Sequence, residues 1–174
     1  MRTTNADVIV LGNGAIGSAV AWRCAQRGLA VTVLDPDPAR GAWHTAAGML
    51  APVTELHYAE SALLRLNIDS LTRYPAFAAE LTELTGLPTG LQECGTVSIA
   101  WDGADLAALR DLHAFGRSLG LPGELLTGRE LHALEPALTP GLPGGLLAAG
   151  DHQVDPRLLH AALVAAGERA RVRA

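Results

Sequence analysis

The sequence is poor in cysteine and in metal-binding patterns. Its 174 residues include two cysteines, Cys24 and Cys94, which lie far apart and form no C-x-x-C pair. Disulfide scaffolds and zinc sites need several such residues at short spacings, so both are excluded. Six histidines are scattered without the spacing of metal ligands, and we expect no metal site. The low cysteine content is typical of a reducing compartment, and we expect a cytoplasmic protein.

Basic tracts, internal repeats, low-complexity linkers and long apolar runs are also missing. The formal net charge is −5, and acidic and basic residues are mixed along the chain, which argues against a nucleic-acid partner. Residues 8–22 carry no charge, but glycines interrupt them and they are too few to span a membrane. Asp7 precedes this run and Arg23 follows it without a convincing cleavage site for a signal peptide. We expect a soluble chain of one domain or slightly more, with no membrane partner.

The first 35 residues show the pattern strand, glycine loop, helix, strand. Residues 8–11 and 31–34 are short, continuously apolar runs rich in β-branched residues, which is typical of parallel strands buried on both faces. The helix predicted over 15–27 is rich in small residues that allow close packing on a sheet, and Gly28 ends it. Residues 6–35 therefore predict one β-α-β unit, and the fold class is α/β with a Rossmann-like arrangement.

The loop of this unit, "LGNGAIG", carries three glycines at G-x-G-x-x-G spacing. Gly12 permits a tight turn, Gly14 lets the backbone approach a pyrophosphate, and Gly17 lets helix and strand pack closely. The phosphates would lie at the positive end of the helix. Asp35 ends the second strand, where a carboxylate can accept hydrogen bonds from a ribose and repel a 2′-phosphate. The motif predicts a dinucleotide, but it does not distinguish NAD from FAD.

The middle of the chain mixes loops, helices and strands. Residues 41–53 are predicted to be a loop, and residues 56–85 a helix in two pieces that break at Pro75. The segment "ECGTVSIAW" alternates as a strand does. A helix over 104–119 follows, with Asp102 as its N-cap.

The last fifty residues contain two predicted helix starts. Thr127 and Glu130 have the spacing of a capping box. The segment "GGLLAAGDHQV" predicts another strand. Asp155 and Pro156 predict the N-cap and first turn of a last helix that runs to about residue 168. The final "RARVRA" predicts the beginning of a further strand.

The segment "HTAAGMLAP" comes soon after the β-α-β pattern and is followed by a helix. This order resembles the FAD-dependent D-amino-acid oxidase family and, within it, the glycine oxidases of thiamine biosynthesis. The later "GRELHALEPALTPGLPGGLL" and "DHQVDPRLLHAAL" are similar to a mid-chain segment of the same family. The resemblance runs from Asp7 to the end of the chain. It implies FAD as cofactor, with residues 1–90 as an FAD-binding lobe, 91–150 as part of an α+β substrate lobe, and 151–174 returning to the FAD-binding lobe.

The resemblance also implies which residues bind the cofactor. They are Gly12, Gly14, Ala15, Ile16, Gly17, Asp35, Pro36, His44, Thr45, Ala47, Gly48 and Met49. Positions 12–17 match the pyrophosphate loop, and Asp35, often Glu in the family, matches the ribose-binding acid. Positions 47–49 match a segment whose backbone passes the isoalloxazine ring and tunes its electronics. Trp43, His44 and Thr45 stand where the family commonly has small hydroxyl residues, which is a departure from its pattern.

The function implied is oxidative deamination of glycine, a small D-amino acid or a secondary amine, feeding thiazole synthesis for thiamine. In the family, a hydride passes from the substrate's α-carbon to the flavin, the imine hydrolyses to an oxo acid, and oxygen reoxidises the flavin with release of hydrogen peroxide. This reaction demands no protein acid or nucleophile, so no catalytic residue is assigned. Asp151 and His152, near a strand end, are either a catalytic pair or a turn with a polar cap. The implied partners are a small amino-acid substrate and, in the full-length form, a second copy.

Family members are considerably longer than this chain. Their second half supplies the next FAD-contacting strand, an arginine that holds the substrate carboxylate and a tyrosine near the amine. The resemblance therefore implies an incomplete, truncated half, and we expect the chain alone to lack oxidase activity. The alternatives are a non-catalytic FAD-binding module, a flavoenzyme of the sarcosine oxidase or D-amino-acid dehydrogenase type, and an NAD-dependent dehydrogenase, which would leave "AAGML" unexplained.

Overall fold

A computed structural model describes residues 5–38 and 40–173. In chain order the elements are β1 (Val8–Leu11), α1 (Ala15–Gln26), β2 (Val31–Leu34), a 3₁₀ helix (Ala42–His44), β3 (Met49–Leu50), α2 (Ser61–Thr85), β4 (Thr96–Ala100), α3 (Gly103–Ser118), β5 (Glu124–Thr127), α4 (Gly128–Leu134), β6 (Gly144–Ala148), β7 (His152–Gln153) and α5 (Pro156–Arg169). The mixed α/β class predicted from the sequence is confirmed.

The described residues form two compact units. The first contains residues up to 48 together with 74–91 and 154–173, and the second contains 49–73 and 92–153. These boundaries differ from the three predicted segments, because residues 49–73 belong to the second unit rather than to the first. The assignment of one lobe to FAD and of another to substrate stays a prediction.

The first unit is built on the predicted β-α-β unit. Strands β1 and β2 pair in parallel, with Val8 opposite Val31 and Leu11 opposite Leu34. A core of Ala21, Val31 and Val33 packs beneath them, joined by half-buried apolar residues of β1 and α1. Helix α1 also packs along α5. The sequence brings these elements together because small residues on α1 allow a close approach to the sheet.

The expectation that both strands are buried on both faces is wrong. Along β1 the side chains alternate between half-buried and exposed, and Leu11 is 80% exposed. Ile9 and Leu34 are exposed as well. The reason is that side chains alternate between the two faces of a strand, and the described residues packed on this sheet lie on one face.

The expected start of a further strand is confirmed after α5. Arg173 forms a parallel bridge with Thr32, the N–H of Val33 donates to its carbonyl at 2.7 Å, and its own N–H donates to the carbonyl of Val31 at 3.1 Å. The chain therefore returns to the free edge of β2. The helix before it begins as predicted, because Asp155 caps α5 by accepting from the N–H groups of Arg157 and Leu158.

The second unit contains an antiparallel sheet in the order β4-β6-β5 and a short pair formed by β3 and β7. Its core includes Leu56, Leu64 and Leu121. Asp102 caps α3 as predicted, and Thr127 forms the predicted capping box with Glu130. The single strand predicted over "GGLLAAGDHQV" is instead two strands, β6 and β7, which pair with different partners.

The predicted break at Pro75 is also wrong, because α2 is one continuous helix through this position. A proline inside a helix removes one backbone hydrogen bond and crowds the preceding turn. Burial on both sides of the proline outweighs that local cost: Leu64 precedes it and Leu81 follows it, and both are buried.

Candidate functional site

The glycine loop of the first unit has the geometry that its spacing predicts. Gly12 has φ +97°, a left-handed conformation that side chains rarely adopt, and its N–H donates to the carbonyl of Leu34 at 2.8 Å. A Cβ added to Gly17 would overlap the carbonyl oxygen of Gly12. The first and third glycines are therefore required by the turn and by the close approach of helix to strand.

The start of α1 is an open cradle of backbone. Gly14 is the N-cap, and none of the described side chains caps this helix. The first N–H groups of a helix have no acceptor within it, and the helix dipole favours an anion there. A Cβ on Gly14 would meet nothing closer than Trp43 Cδ1 at 3.9 Å. Ala15 is half-buried and Ile16 is 83% exposed, so space remains beside the helix for a ligand.

Asp35 lies at the end of β2 and is held against this loop. Its Oδ2 accepts from the N–H of Asn13 at 2.6 Å, and its Oδ1 accepts from the N–H of Asp37 at 2.9 Å. These two bonds, in that order, hold the pKa of Asp35 below its usual value of 3.8, and nearby His160 adds to the lowering. A carboxylate that stays ionised at neutral pH can accept hydrogen bonds from hydroxyl groups of a ligand. Pro36 follows it and is exposed.

The second predicted segment, residues 41–48, lies against the glycine loop. We call it the second loop. Trp43 lies in its 3₁₀ helix and places its ring beside Gly14. His44, Thr45 and Ala47 are exposed. Two loops that are separate in the sequence thus adjoin within one compact unit.

Contacts from the start of α5 hold the second loop in place. The N–H of Val154 donates to the carbonyl of Gly48 at 2.9 Å, and Arg157 donates to the carbonyl of His44 at 3.1 Å. Gly48 has φ +81°, and a Cβ there would overlap the carbonyl oxygen of Val154. Only glycine fits this position without displacing one of the two segments.

The family described as FAD dependent oxidoreductase (DAO) matches residues 7–174. The chain belongs to the DAO family of FAD-dependent oxidoreductases. It is 35% identical over 162 residues to the bifunctional protein ThiO/ThiG of Trichormus variabilis, covering 93% of this chain and 24% of that protein. It is also 35% identical over 166 residues to the glycine oxidase of Geobacillus kaustophilus, covering 94% of this chain and 44% of that protein.

The fold agrees with this family. The crystal structure of glycine oxidase from Geobacillus kaustophilus superposes with a TM-score of 0.90, covering 95% of this chain and 45% of that chain. This DAO-family chain thus spans less than half the length of the curated relatives named above. FAD as the cofactor of its family is confirmed.

The residues of the first unit fit FAD. The backbone is open at Gly14 and at the uncapped start of α1, where a diphosphate needs N–H donors, and the Asp35 carboxylate lies at the next strand end. The individual contacts to the cofactor stay predictions. Met49 differs from the other predicted residues because it lies in the second unit, where it pairs with Gln153 and is 57% exposed.

In the second unit of this DAO-family chain, Asp151 shapes a turn. It is fully buried, and its carboxylate accepts from the N–H groups of Val53 and Thr54 at 3.2 and 3.1 Å and from the Thr54 hydroxyl at 2.8 Å. Of the two interpretations left open by the sequence, this geometry favours the turn with a polar cap. A carboxylate with three donors and no exposure is not placed to exchange protons with a substrate.

Among residues 5–38 and 40–173, no group of three or more His, Cys, Asp or Glu side chains is arranged to hold a metal ion. Within the same residues, no helix is both long and apolar enough to cross a bilayer.

Sequence reasoning missed the residues that support the site. Asn13 is one of the x positions of the G-x-G-x-x-G motif, and Arg157 and His160 lie in the segment "DHQVDPRLLHAAL", but none of the three was assigned a role in binding. The one signal near them is the predicted helix start at Asp155, which places α5 without indicating what its first turns contact.

Proposed function

We propose that this chain binds FAD in its first unit. The diphosphate lies on the backbone of Gly12, Gly14 and Gly17 and on the first-turn N–H groups of Ala15 and Ile16. Asp35 accepts hydrogen bonds from the ribose of the adenosine, with Pro36 beside it. The flavin end extends along His44, Thr45, Ala47 and Gly48 of the same unit.

One observation carries the proposal. The two segments assigned to opposite ends of the cofactor, the glycine loop and the second loop, lie side by side, with the Trp43 ring close to Gly14. His160 links them, because its ring stacks on Trp43 of the second loop and its Nε2 donates to the carbonyl of Asn13 in the glycine loop. A dinucleotide whose ribose is bound by the Asp35 carboxylate extends across the N-terminus of α1. The two loops must therefore lie next to each other to contact both of its ends.

We further propose that the activity is oxidation of glycine or a similar small amine, as the names of the relatives indicate. When bound, FAD would be the acceptor of a hydride from the carbon that bears the amine. The contribution of this chain is to hold the cofactor, to orient it and to set the electrostatics around it with backbone N–H groups and one carboxylate. The protein acts in the cytoplasm, which agrees with two cysteines that form no disulfide. A second copy is a further proposed partner.

The cofactor proposal is tested by titrating the purified 174-residue chain with FAD. We expect saturable binding that resolves the visible flavin bands, competition by ADP, and no binding of NAD. Circular dichroism on the same sample establishes that the chain is folded. A folded chain that takes up no FAD would overturn the proposal, and one that binds NAD in its place would identify a different dehydrogenase class.

The activity is tested on the FAD-loaded chain with glycine or sarcosine in a peroxidase-coupled assay. We expect no peroxide from this chain alone, since the arginine and tyrosine implied for substrate binding have no assigned counterpart within it. Flavin reduction by the amine without oxygen uptake would instead indicate a dehydrogenase. Peroxide release would show that the 174 residues suffice for substrate binding.

A further inference from the structure

The ring of His160 joins the second loop to the glycine loop. It stacks on Trp43 with ring centroids 4.0 Å apart and an angle of 10° between the planes. Its Nε2 lies 2.6 Å from the carbonyl oxygen of Asn13. Because a carbonyl can only accept, Nε2 carries the hydrogen and donates it. His160 is 7% exposed, so both interactions are largely shielded from water.

The stack is what orients the Trp43 ring. The indole N–H of Trp43 is buried and has no hydrogen-bond partner in the part of the chain that the structure describes. The ring therefore takes its direction from packing, with His160 on one face and Gly41 against its edge, where a Cβ would overlap the ring. Large aromatic contacts of this kind stabilise a fixed geometry beyond the area they bury.

Asn13 connects His160 to Asp35, the residue proposed to bind the ribose. Its carbonyl accepts from His160, its N–H donates to Asp35 Oδ2 at 2.6 Å, and its side-chain Oδ1 accepts from the Ser18 hydroxyl at 2.9 Å. The contacts form a continuous series from Trp43 through His160 and Asn13 to Asp35. Every member lies in the first unit.

Helix α5 supplies a second contact three residues earlier. Arg157 donates to the carbonyl of His44, and positions three apart lie on the same side of a helix. One face of α5 thus holds the second loop at His44 through Arg157 and at Trp43 through His160. The same face holds the glycine loop through the bond from His160 to Asn13.

We propose that His160 is a positioning residue that sets the spacing between the two FAD-binding loops. The inference rests on the proposed function, in which the adenosine diphosphate end contacts the glycine loop and the flavin end contacts the second loop. The two interactions of His160 then have separable effects. The bond to Asn13 shapes the glycine loop and acts on the whole ligand, whereas the stack on Trp43 places the second loop and acts on the flavin end. A preformed spacing lowers the ordering cost of binding.

Two substitutions separate the two interactions. In His160→Gln the side-chain amide can still donate to the Asn13 carbonyl, but the ring stack is lost. In His160→Phe the stack remains and the donor is lost. The exposed His132 of α4 provides a matched control, His132→Gln, in the second unit. Affinities for FAD and for ADP are measured by calorimetry, and melting temperatures are recorded for each variant.

For His160→Gln we expect FAD affinity to fall about tenfold, the scale of one lost aromatic contact, with ADP affinity changed by less than about twofold. For His160→Phe we expect both affinities to fall by similar factors, about five- to tenfold, as for one lost hydrogen bond. The control changes neither. ADP binding by the Gln variant also shows that its glycine loop is folded.

The outcomes distinguish the two proposals. If the unsubstituted chain is folded and binds no FAD, the proposed function fails. If it binds FAD but both His160 variants bind FAD and ADP as well as it does, only the positioning role fails. A loss that is equal for FAD and ADP in the Gln variant also overturns that role, because it would show a general effect on stability rather than on loop spacing.

Discussion

The two loops of the candidate site are held in place in different ways. The glycine loop depends mainly on residues close to it in the sequence: its glycines, the helix that starts at Ala15, and Asp35 at a separation of 22 residues from Asn13. It has one distant contact, the hydrogen bond from His160 to the Asn13 carbonyl. The second loop depends on residues of α5, with a separation of 113 residues between His44 and Arg157. The first loop is thus encoded largely locally, whereas the second is held by contacts with a helix that is distant in the sequence.

This difference fits the chemistry proposed for each loop. A diphosphate is recognised by backbone N–H groups, which a short motif can arrange by itself. The flavin end needs a backbone segment at a set distance from that motif, and distance between segments is a property of tertiary packing. The comparison predicts that changes in the glycine loop weaken FAD and ADP alike, whereas changes around the second loop affect FAD more than ADP.

The largest effect is expected for Gly17→Ala. The added Cβ would overlap the carbonyl oxygen of Gly12, and the backbone must move because neither partner is a flexible side chain. We expect FAD and ADP binding to be lost and the free energy of unfolding to fall by about 1–3 kcal/mol, the usual cost of overpacking. Calorimetry and urea titration measure both. The control is Gly103→Ala on α3, where an added Cβ meets nothing within 4 Å.

Retention of ADP binding by Gly17→Ala would contradict this expectation. It would show that the glycine loop tolerates a displaced helix, and the comparison between a rigid first loop and a supported second loop would lose its basis.

Gly48→Ala is expected to have the next largest effect and to change the affinities for FAD and ADP by different factors. Alanine at φ +81° is strained, and its Cβ would overlap the Val154 carbonyl oxygen. The second loop must shift away from α5, so we expect FAD affinity to fall about tenfold or more while ADP affinity stays within about twofold. A loss of both affinities by one factor would mean that the two loops move together.

The sequence predicted the glycine loop well because each requirement is local. The tight turn, the free helix N-terminus and the acid after β2 all follow from residue types within one β-α-β unit. Helix caps at Asp102, Thr127 and Asp155 were predictable for the same reason, since a cap and its N–H donors are two or three residues apart.

The remaining features depend on contacts that no local pattern contains. The stack of Trp43 on His160 needs α5 to lie beside the second loop. The continuity of α2 through Pro75 depends on burial on both sides of that residue. The exposed face of β1 likewise reflects which elements cover the sheet, whereas the apolar run alone suggested burial on both faces.

Asp35→Asn is expected to weaken both ligands equally, about tenfold. The substitution removes the charge and places an amide N–H₂ against one of two backbone N–H donors, so the contact to Asn13 or to Asp37 becomes repulsive. Because Asp35 contacts the glycine loop at Asn13 and not the second loop, the ratio of FAD to ADP affinity stays constant. The exposed Asp111 on α3 gives a control, Asp111→Asn, that leaves both affinities unchanged.

The ionisation of this carboxylate makes FAD affinity depend on pH, with a smaller effect that is confined to acidic pH. The lowered pKa of Asp35 means that its hydrogen bonds stabilise the folded loop fully above the unfolded pKa and are lost as the pH falls through the folded pKa. We compare the FAD affinity of the unsubstituted chain with that of Asp35→Asn as a ratio. We expect this ratio to be constant from about pH 8 to about pH 5. The ratio approaches one only below the usual value of 3.8. A ratio that already falls above about pH 5 would contradict the assignment of this effect to the Asp35 carboxylate.

The smallest effect is expected for Arg157→Met, which keeps much of the apolar stem and removes the guanidinium. Arg157 is exposed; it donates to the His44 carbonyl at 3.1 Å and lies 3.6 Å from the Asp155 carboxylate. Exposed polar contacts of this kind contribute less than about 1 kcal/mol, so FAD affinity should fall by about twofold and ADP affinity should not change. Arg129→Met on α4 is the matched control. An effect as large as that of His160→Gln would mean that α5 holds the second loop chiefly at His44, and that the Trp43 stack follows from that contact rather than setting it.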